Sequence, residues 1–419
     1  MDKKTRIRIM TRFIILICIA SFFLSGCKRD RANSREEKIA GNSGLQVLSI
    51  DLETRKSLKF SQIFDLCDVV RLETKNIHNL IRDVNKIRIN SEWIVIFSDP
   101  LVYVFLRDGS LYKKLELYGR GPGETTMPLD MQVDFENEYI YILAVDRKSI
   151  LVYSFEGEFV SEFIHGSYAY GFTILDSGEA LIYNAGQNID ANDSGDGLVY
   201  FVNEESGVMS SFIPIVKNLQ RLYQSVPMEM FNTHFSGQVS FKMTYYDTIY
   251  LFDAGQKALL PAYYLDFNGA NVDYSDFWNE AVSLSDLSRD SKSYVTRCSN
   301  QRYIGDKLSL NASYGDEFVN IQILYDFSDQ KSIVIERVCN DFIGDSTYHG
   351  IQRYDRLYGN YDEFGVLVVD PFQLIRSINS LDEGSKKSLF TRHEKIGRIY
   401  KEIEEEDNPI LMIVSIKDL

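Results

Sequence analysis

Short apolar runs of strand length recur along the chain, and two stretches repeat the same order of apolar and polar positions. Trp93–Phe97 aligns with Tyr141–Val145, 48 residues later, and the same offset aligns Val104–Leu111 with Val152–Phe159. These runs are rich in valine, isoleucine and aromatic residues, which favour strands. The repeat predicts an architecture built from similar units.

Each unit also carries the turn signals of antiparallel hairpins. Glycine follows an acidic residue at Gly109 and Gly157, and it supplies the positive φ that a tight turn needs. A third unit follows in Ala180–Tyr183 and Val199–Val202, with a turn at Gly207. Weaker strand patterns continue in Asp247–Phe252, Ala262–Phe267, Phe318–Tyr325, Ser332–Glu336 and Gly365–Val369. Units of four antiparallel strands at this period are typical of propeller blades, and residues 60–419 provide about six of them. The prediction is an all-β fold, a six-bladed β-propeller of four-stranded antiparallel blades.

Helical patterns are few, and most lie near the C-terminus. They cover Ser275–Leu287, Pro371–Leu381 and Ser385–Glu405. The last of these places an apolar stripe on one face, formed by Leu389, Ile396, Ile399 and Ile403. Ile410–Ile416 then predicts a buried final strand, and pairing it with an early strand would close the ring without an open edge.

The N-terminal segment predicts export. Five basic residues precede the apolar run Phe13–Leu24, and Ser-Gly separates that run from Cys27. This order is typical of secretory signal peptides, and the run is short for a membrane span. With its cysteine the segment resembles bacterial lipoprotein signals, in which the cysteine becomes the lipidated first residue. We predict a signal peptide at 1–26, lipidation of Cys27, a flexible tether at 27–44 and the propeller domain at 45–419. An ordinary signal peptide or a membrane anchor is the alternative.

Charge limits the partners. The chain carries a net charge of −15, and removal of the basic signal segment makes it more acidic. Because phosphate binding depends on lysine and arginine, we expect no nucleic-acid partner and contact with the membrane through the lipid anchor alone. The folded body keeps Cys67, Cys298 and Cys339, an odd number without a Cys-x-x-Cys pair, so it can form at most one disulfide.

The densest motif is Gly119-Arg120-Gly121-Pro122-Gly123-Glu124, which follows the third strand of the first repeat unit. The alternating glycines allow backbone conformations closed to other residues. No helix and no Lys-Ser/Thr pair follows, and Pro122 lacks a donor N–H, so the motif does not predict phosphate binding. We predict a shaped connection between blades in which Arg120 and Glu124 tie neighbouring blades. A ligand contact by Arg120 is the alternative.

Other chemistry is sparse. Asp190 and Asn192 match the first half of an EF-hand loop and Asp196 adds an oxygen donor, but Phe201 stands where the bidentate glutamate belongs. A solvated acidic loop is therefore predicted, a calcium site is the alternative, and no other cofactor is expected. The histidines show no metal-ligand spacing and no Gly-x-Ser-x-Gly motif occurs, so no catalytic residues are predicted.

Several of these features occur together in one known family. They are the lipobox (Leu24-Ser25-Gly26-Cys27), the segment Phe64–Thr74, the acidic-glycine turns, Gly119–Glu124, and Asp407-Asn408-Pro409 before the last strand. In this combination the chain resembles the six-bladed β-propeller lipoproteins of glycan-degrading Gram-negative bacteria over nearly its whole mature length. The most specific motifs are Leu72-Glu73-Thr74, Gly119–Glu124 and Asn408-Pro409. The resemblance implies a fold and a location, and it carries no catalytic residues.

The expected location is the outer membrane, on its periplasmic face. Lys28 does not favour retention in the inner membrane, and the basic Lys28–Arg31 lacks the acidic signal for surface export, so the cell surface is the alternative. The expected function is a non-enzymatic binding or scaffold module for a glycan, a peptide or a membrane-protein partner.

Two other functions stay open. An enzyme, a lyase or hydrolase acting on sugars or lactones at the axial channel, is the main alternative, because the fold alone does not assign activity. Histidines and carboxylates that converge on the axis would favour it, whereas an aromatic-lined face would favour binding. A sensor that reports ligand occupancy to a membrane partner is the third reading.

Overall fold

The structure is a computed structural model that describes residues 44–187, 197–215, 219–224, 229–272, 294–315, 317–352, 356–361 and 363–418. The predicted signal peptide, Cys27, residues 27–43, the 190–196 loop and Ser275–Leu287 lie outside the described residues. The described strands form six sheets arranged as a six-bladed β-propeller, which confirms the predicted fold.

Blades 1 to 3 are four-stranded and follow chain order. Blade 1 contains β4 (Lys86–Ile89), β5 (Trp93–Ser98), β6 (Leu101–Leu106) and β7 (Leu111–Glu116). Blade 2 contains β8 (Pro128–Asp134), β9 (Tyr139–Ala144), β10 (Ser149–Ser154) and β11 (Phe159–Ile164). Blade 3 contains β12 (Gly171–Ile174), β13 (Ala180–Tyr183), β14 (Gly197–Asn203) and β15 (Gly207–Pro214). The first two units align as the repeat predicts, since Leu115 of β7 and Phe163 of β11 are both buried.

Blades 4 to 6 each take one strand from the N-terminal part of the chain. Blade 4 contains β16 (Phe231–Thr233), β17 (Val239–Phe241), β18 (Thr248–Asp253), β19 (Ala258–Asp266) and the added β1 (Gln46–Ser49). Blade 5 contains β20 (Val295–Ile304), β21 (Lys307–Tyr314), β22 (Val319–Asp326), β23 (Lys331–Cys339), the added β2 (Lys56–Lys59) and the short β24 (His349–Gly350). Blade 6 contains β25 (Asn360–Tyr361), β26 (Phe364–Val369), β27 (Ile410–Ile416) and β3 (Phe64–Arg71).

The added strands form a belt along the outer edges of three successive blades. β1 runs parallel to β19, β2 runs parallel to β23, and β3 pairs antiparallel with β27. The last strand therefore pairs with an early one, as predicted, and closes the ring. The strands β19, β23 and β27 are therefore interior to their sheets, and β1, β2 and β3 form the outer edges.

The core lies between adjacent blades, whose facing sheets pack together. Between blades 1 and 2, for example, Val95 and Val104 pack with Met131 and Ile142, all fully buried. The innermost strands β4, β8, β12, β16, β20 and β25 contact one another in that order and β25 contacts β4, so they surround the axis.

Five α-helices lie in the described residues, namely α1 (Phe60–Ile63), α2 (Gln220–Tyr223), α3 (Pro371–Asn379), α4 (Glu383–Arg392) and α5 (Glu394–Tyr400). The last three connect β26 to β27, which places helices near the C-terminus as predicted. The single helix predicted at Ser385–Glu405 is wrong, because His393 leaves the helical conformation (φ −130°, ψ 71°) and separates α4 from α5. Gly397 permits this turn, since a Cβ there would lie 2.9 Å from the ring of Phe390. The predicted apolar stripe is buried in one cluster on both sides of the break.

Candidate functional site at the centre of the ring

Charged side chains from several blades meet at the centre of the ring. Alternate residues of a strand point to the same side. On β4 this places Lys86 and Arg88 together, while Ile87 and Ile89 are buried in the core between blades. We define the axial charge cluster as Lys86, Arg88, Asp130, Glu229 and Arg302.

Glu229, just before β16, is the hub of the axial charge cluster. Its carboxylate accepts two hydrogen bonds from Arg88, Nη1 to Oε1 at 2.8 Å and Nη2 to Oε2 at 2.9 Å. Arg302 Nη2 lies 3.5 Å from Oε1, and Lys86 Nζ lies 3.7 Å from Oε2. Lys86 also donates to Asp130 on β8 at 2.6 Å, so the cluster joins blades 1, 2, 4 and 5. The Glu229 side chain is only 1% exposed.

The electrostatics of the two carboxyls differ. Burial alone would raise the pKa of Glu229, but Arg88, Lys86 and Arg302 outweigh it and lower this pKa to about 2. Burial raises the pKa of Asp130, because Lys86 offsets that effect only in part and Glu229 adds negative charge nearby. Burial also lowers the pKa of Arg302 to about 10 against the opposing effect of Glu229. Glu229 is therefore held ionised, whereas Asp130 is the carboxyl of the cluster that takes up a proton more readily.

A β-bulge precedes Arg302 on the innermost strand of blade 5. Ser299 pairs with Asn311 but Arg302 pairs with Ser309, so two residues of β20 stand opposite one residue of β21. Asn300, in this bulge, has φ +55°, a left-handed conformation that is uncommon for residues with a side chain. Beyond the bulge Arg302 Nε donates to the carbonyl of Tyr358 at 2.8 Å. Bulges re-aim side chains and are frequent near functional sites.

Gln301, in the same bulge, has one acceptor atom without a hydrogen-bond partner in the described residues. It is fully buried, and its Nε2 donates to the carbonyl of Met230 at 3.0 Å. Its Oε1 has no hydrogen-bond partner within the described part of the chain. Buried polar atoms are nearly always satisfied. Several other buried polar atoms of the described residues share this property, so it does not single out the segment.

The charges of the axial charge cluster do not balance. Three cations face two carboxylates, so the centre is net positive in a chain of net charge −15. No histidine belongs to the cluster within the described residues, and in that part of the chain no group of three His, Cys, Asp or Glu could hold a metal ion. Arginine presents planar, paired donors that match carboxylates and other oxyanions. The arrangement can hold an anionic group.

The family described as a domain of unknown function, DUF4934, matches residues 45–415. The chain belongs to the DUF4934 family. None of the curated proteins matches it significantly.

Several solved structures are similar to this DUF4934 chain. A Bacteroides fragilis protein described as exported is 18% identical and covers 89% of this chain and 100% of its own, with a TM-score of 0.67. A DUF4221 member from Bacteroides vulgatus is 9% identical, covers 85% and 98%, and has a TM-score of 0.47. A virginiamycin B lyase from Staphylococcus aureus is 9% identical, covers 73% and 81%, and has a TM-score of 0.37. The first shares the fold, and the other two are too distant to support any argument.

The Gly119–Glu124 motif of this DUF4934 chain joins β7 to β8, that is, blade 1 to blade 2. The Glu124 carboxylate turns back and accepts from the Gly121 N–H at 2.7 Å. Side chains of blade 2 bind the loop. Arg147 donates to the carbonyls of Gly121 and Glu124 at 3.4 and 3.3 Å. The Tyr153 hydroxyl donates to the carbonyl of Gly123. Arg120 is exposed, and both the predicted tie between the blades and the alternative ligand contact by its side chain stay predictions.

The other two family-like motifs contact each other. Asn408 is fully buried, and its Nδ2 donates to the carbonyls of Glu73 and Asn79 at 2.8 and 3.1 Å. Its Oδ1 accepts from the Ile81 N–H at 2.8 Å. These motifs therefore lie at the ring closure and away from the axial charge cluster.

No member of the axial charge cluster was predicted from the sequence. The signal that points to it is the order Lys86-Ile87-Arg88-Ile89, in which two charges alternate with two buried residues. Asp130 lies 44 residues after Lys86, on β8, the innermost strand of the next unit. The candidate calcium ligands Asp190, Asn192 and Asp196 lie outside the described residues.

Proposed function

We propose that this DUF4934 chain is a non-catalytic binding protein of the cell envelope that recognises the carboxylate of an acidic saccharide at the centre of its propeller. The observation that carries the proposal is the axial charge cluster, in which Lys86, Arg88 and Arg302 outnumber Asp130 and Glu229. An acidic chain that concentrates cations at one central point attracts an anion there.

Binding fits the cluster better than catalysis. The two carboxylates that converge on the axis are each held by a cation, and no histidine accompanies them within the described residues. A saccharide would supply a carboxylate for Arg88, which at 14% is the most exposed of the three cations.

The envelope location is supported by the N-terminal segment and by one relative. Basic residues, the apolar run Phe13–Leu24 and Cys27 suit export followed by lipidation. The Bacteroides fragilis structure that shares the fold is described as exported. The resemblance to lipoproteins of glycan-degrading bacteria suits a saccharide ligand. We place the lipid anchor in the outer membrane, with the propeller in the periplasm.

Calorimetry on the purified full-length protein tests the proposal with galacturonate and glucuronate oligosaccharides and their neutral counterparts. We expect acidic sugars to bind, neutral sugars to bind at least about tenfold more weakly, and Arg88→Gln to lose the preference. Arg147→Gln is the matched control, because it removes an arginine from another part-buried ion pair, with Glu162. Equal binding of neutral and acidic sugars, or an unchanged Arg88→Gln variant, would contradict the proposal.

The raised pKa of Asp130 favours one alternative, a lyase or hydrolase that uses this carboxyl as a general acid. Chromatography of the same acidic oligosaccharides after long incubation separates the two functions. Recovery of intact oligosaccharide supports binding. New products that disappear in Asp130→Asn would establish the enzyme instead.

A further inference from the structure

A second concave site lies where the first and last blades meet. This seam cleft has a volume of about 320 Å³, within the range of small-ligand sites. Its floor is apolar and is formed by Ile89, Phe364, Val366 and Ile413. It shares no residue with the axial charge cluster.

The mouth of the seam cleft carries charge. Asp68 and Arg107 both line it, with Arg107 Nη1 3.2 Å from Asp68 Oδ2. Lys395 of α5 binds the other oxygen of Asp68 at 2.7 Å. Two cations thus share one carboxylate, so this group of three side chains is net positive.

Arg107 keeps donors for another group. Its Nη1 makes the one side-chain hydrogen bond that this guanidinium forms within the described residues. Nε and Nη2 are the remaining donor atoms, and the side chain is 26% exposed. A part-exposed arginine above an apolar floor suits a molecule with a charged end and an apolar body.

We propose that the seam cleft binds a small amphipathic carboxylate, with its apolar body on the floor and its carboxylate on Arg107. The apolar body gains by leaving water, and the charge-assisted hydrogen bonds to Arg107 fix its orientation. Because its floor combines residues of blades 1 and 6, an occupied cleft also bridges the two blades that close the ring.

Cys67 provides a direct readout. It lines the seam cleft and is exposed, whereas Cys298 and Cys339 are buried. The rate of maleimide labelling of Cys67 in the full-length protein therefore reports occupancy of the cleft. The probes are benzoate and hexanoate, with benzamide and hexanamide as neutral counterparts at equal ionic strength.

The expected result is a saturable slowing of Cys67 labelling by the carboxylates, with at least about tenfold weaker protection by the amides. Arg107→Gln should lose the difference between acid and amide. Arg337→Gln, which removes an exposed arginine that donates to the carbonyl of Tyr348, should keep it. Equal protection by acids and amides, or none by either, would overturn the proposal.

A second variant covers the case in which Arg107→Gln does not fold. Ser91 lines the cleft and is exposed, so Ser91→Trp should fill the cleft without disturbing the core. Labelling should then be slow without a carboxylate and insensitive to it. A carboxylate effect that persists in folded Ser91→Trp would place the binding elsewhere and refute the proposal.

Discussion

Asn408 donates its backbone N–H to the hydroxyl of Thr74 at 2.8 Å, which joins the segment before the last strand to the segment after β3. The Asn408 side chain adds bonds to the backbone of three further residues on the N-terminal side. Two of the three most specific motifs in the family resemblance, Leu72-Glu73-Thr74 and Asn408-Pro409, are therefore joined by hydrogen bonds. Both lie where the ring closes, and neither contributes a residue to the axial charge cluster.

Asn408→Ala tests this fastening. The substitution leaves the Ile81 N–H and two carbonyls without their partner in a buried place, and each such group costs about 1–3 kcal/mol. We expect the free energy of unfolding to fall by about 3 kcal/mol or more, measured by urea denaturation. Asn137→Ala is the control, since the Asn137 side chain binds Asp134 at the surface, and it should change little. Similar losses in both variants would contradict the role given to Asn408.

Gly123→Ala tests the packing of the Gly119–Glu124 loop. Gly123 has φ +72°, and a Cβ there would lie 2.6 Å from the ring of Phe159. Gly166 has nearly the same φ, +75°, with no atom within 4 Å of its Cβ position. Both alanine variants should lose about 1 kcal/mol to the left-handed backbone, and Gly123→Ala about 1–2 kcal/mol more from the clash. Thermal unfolding of both separates the two effects, and equal losses would mean that Phe159 moves aside freely.

The sequence predicts the blades better than the site. Strands repeat along the chain because each blade buries the same alternate positions, as Leu115 and Phe163 do. The axial charge cluster has no local pattern of this kind, since Arg88 and Glu229 are 141 residues apart and meet only when the ring closes. The position of Arg302 depends on a bulge, and the break at His393 depends on how Phe390 packs on Gly397. These are tertiary effects that periodicity does not contain.

Thiol titration tests the state of the three cysteines in the folded body. The sequence left a Cys298–Cys339 disulfide open, and the structure has both as free, buried thiols. Burial raises the pKa of each to about 11, which keeps them protonated and slow to react. Of these three cysteines, we expect Cys67 alone to react in the native protein, and the two others to react after denaturation without a reductant. No additional thiol on denaturation would mean that Cys298 and Cys339 form a disulfide.

Glu229→Gln tests the axial charge cluster through stability. The variant leaves Arg88, Lys86 and Arg302 with Asp130 as the remaining carboxylate of the cluster. Removal of one partner from a buried ion pair costs about 3–5 kcal/mol, so we expect a loss of this order at neutral pH. Glu162→Gln is the matched control, because the Arg147–Glu162 pair is part-exposed and should cost about 1 kcal/mol.

The pH dependence gives the sharper test. The folded pKa of Glu229, about 2, lies below its ordinary value of 4.5, so folding favours the ionised form. Its contribution is present in full above the unfolded pKa and is lost as the pH falls from 4.5 towards 2. The difference in unfolding free energy between the wild type and Glu229→Gln should therefore be constant above a pH of about 5 and shrink below it. Urea unfolding across this interval measures the difference, which removes the contributions that other carboxyls make to both proteins. A difference that stays constant down to the lowest pH would show that Glu229 titrates normally and that the cations do not hold its charge.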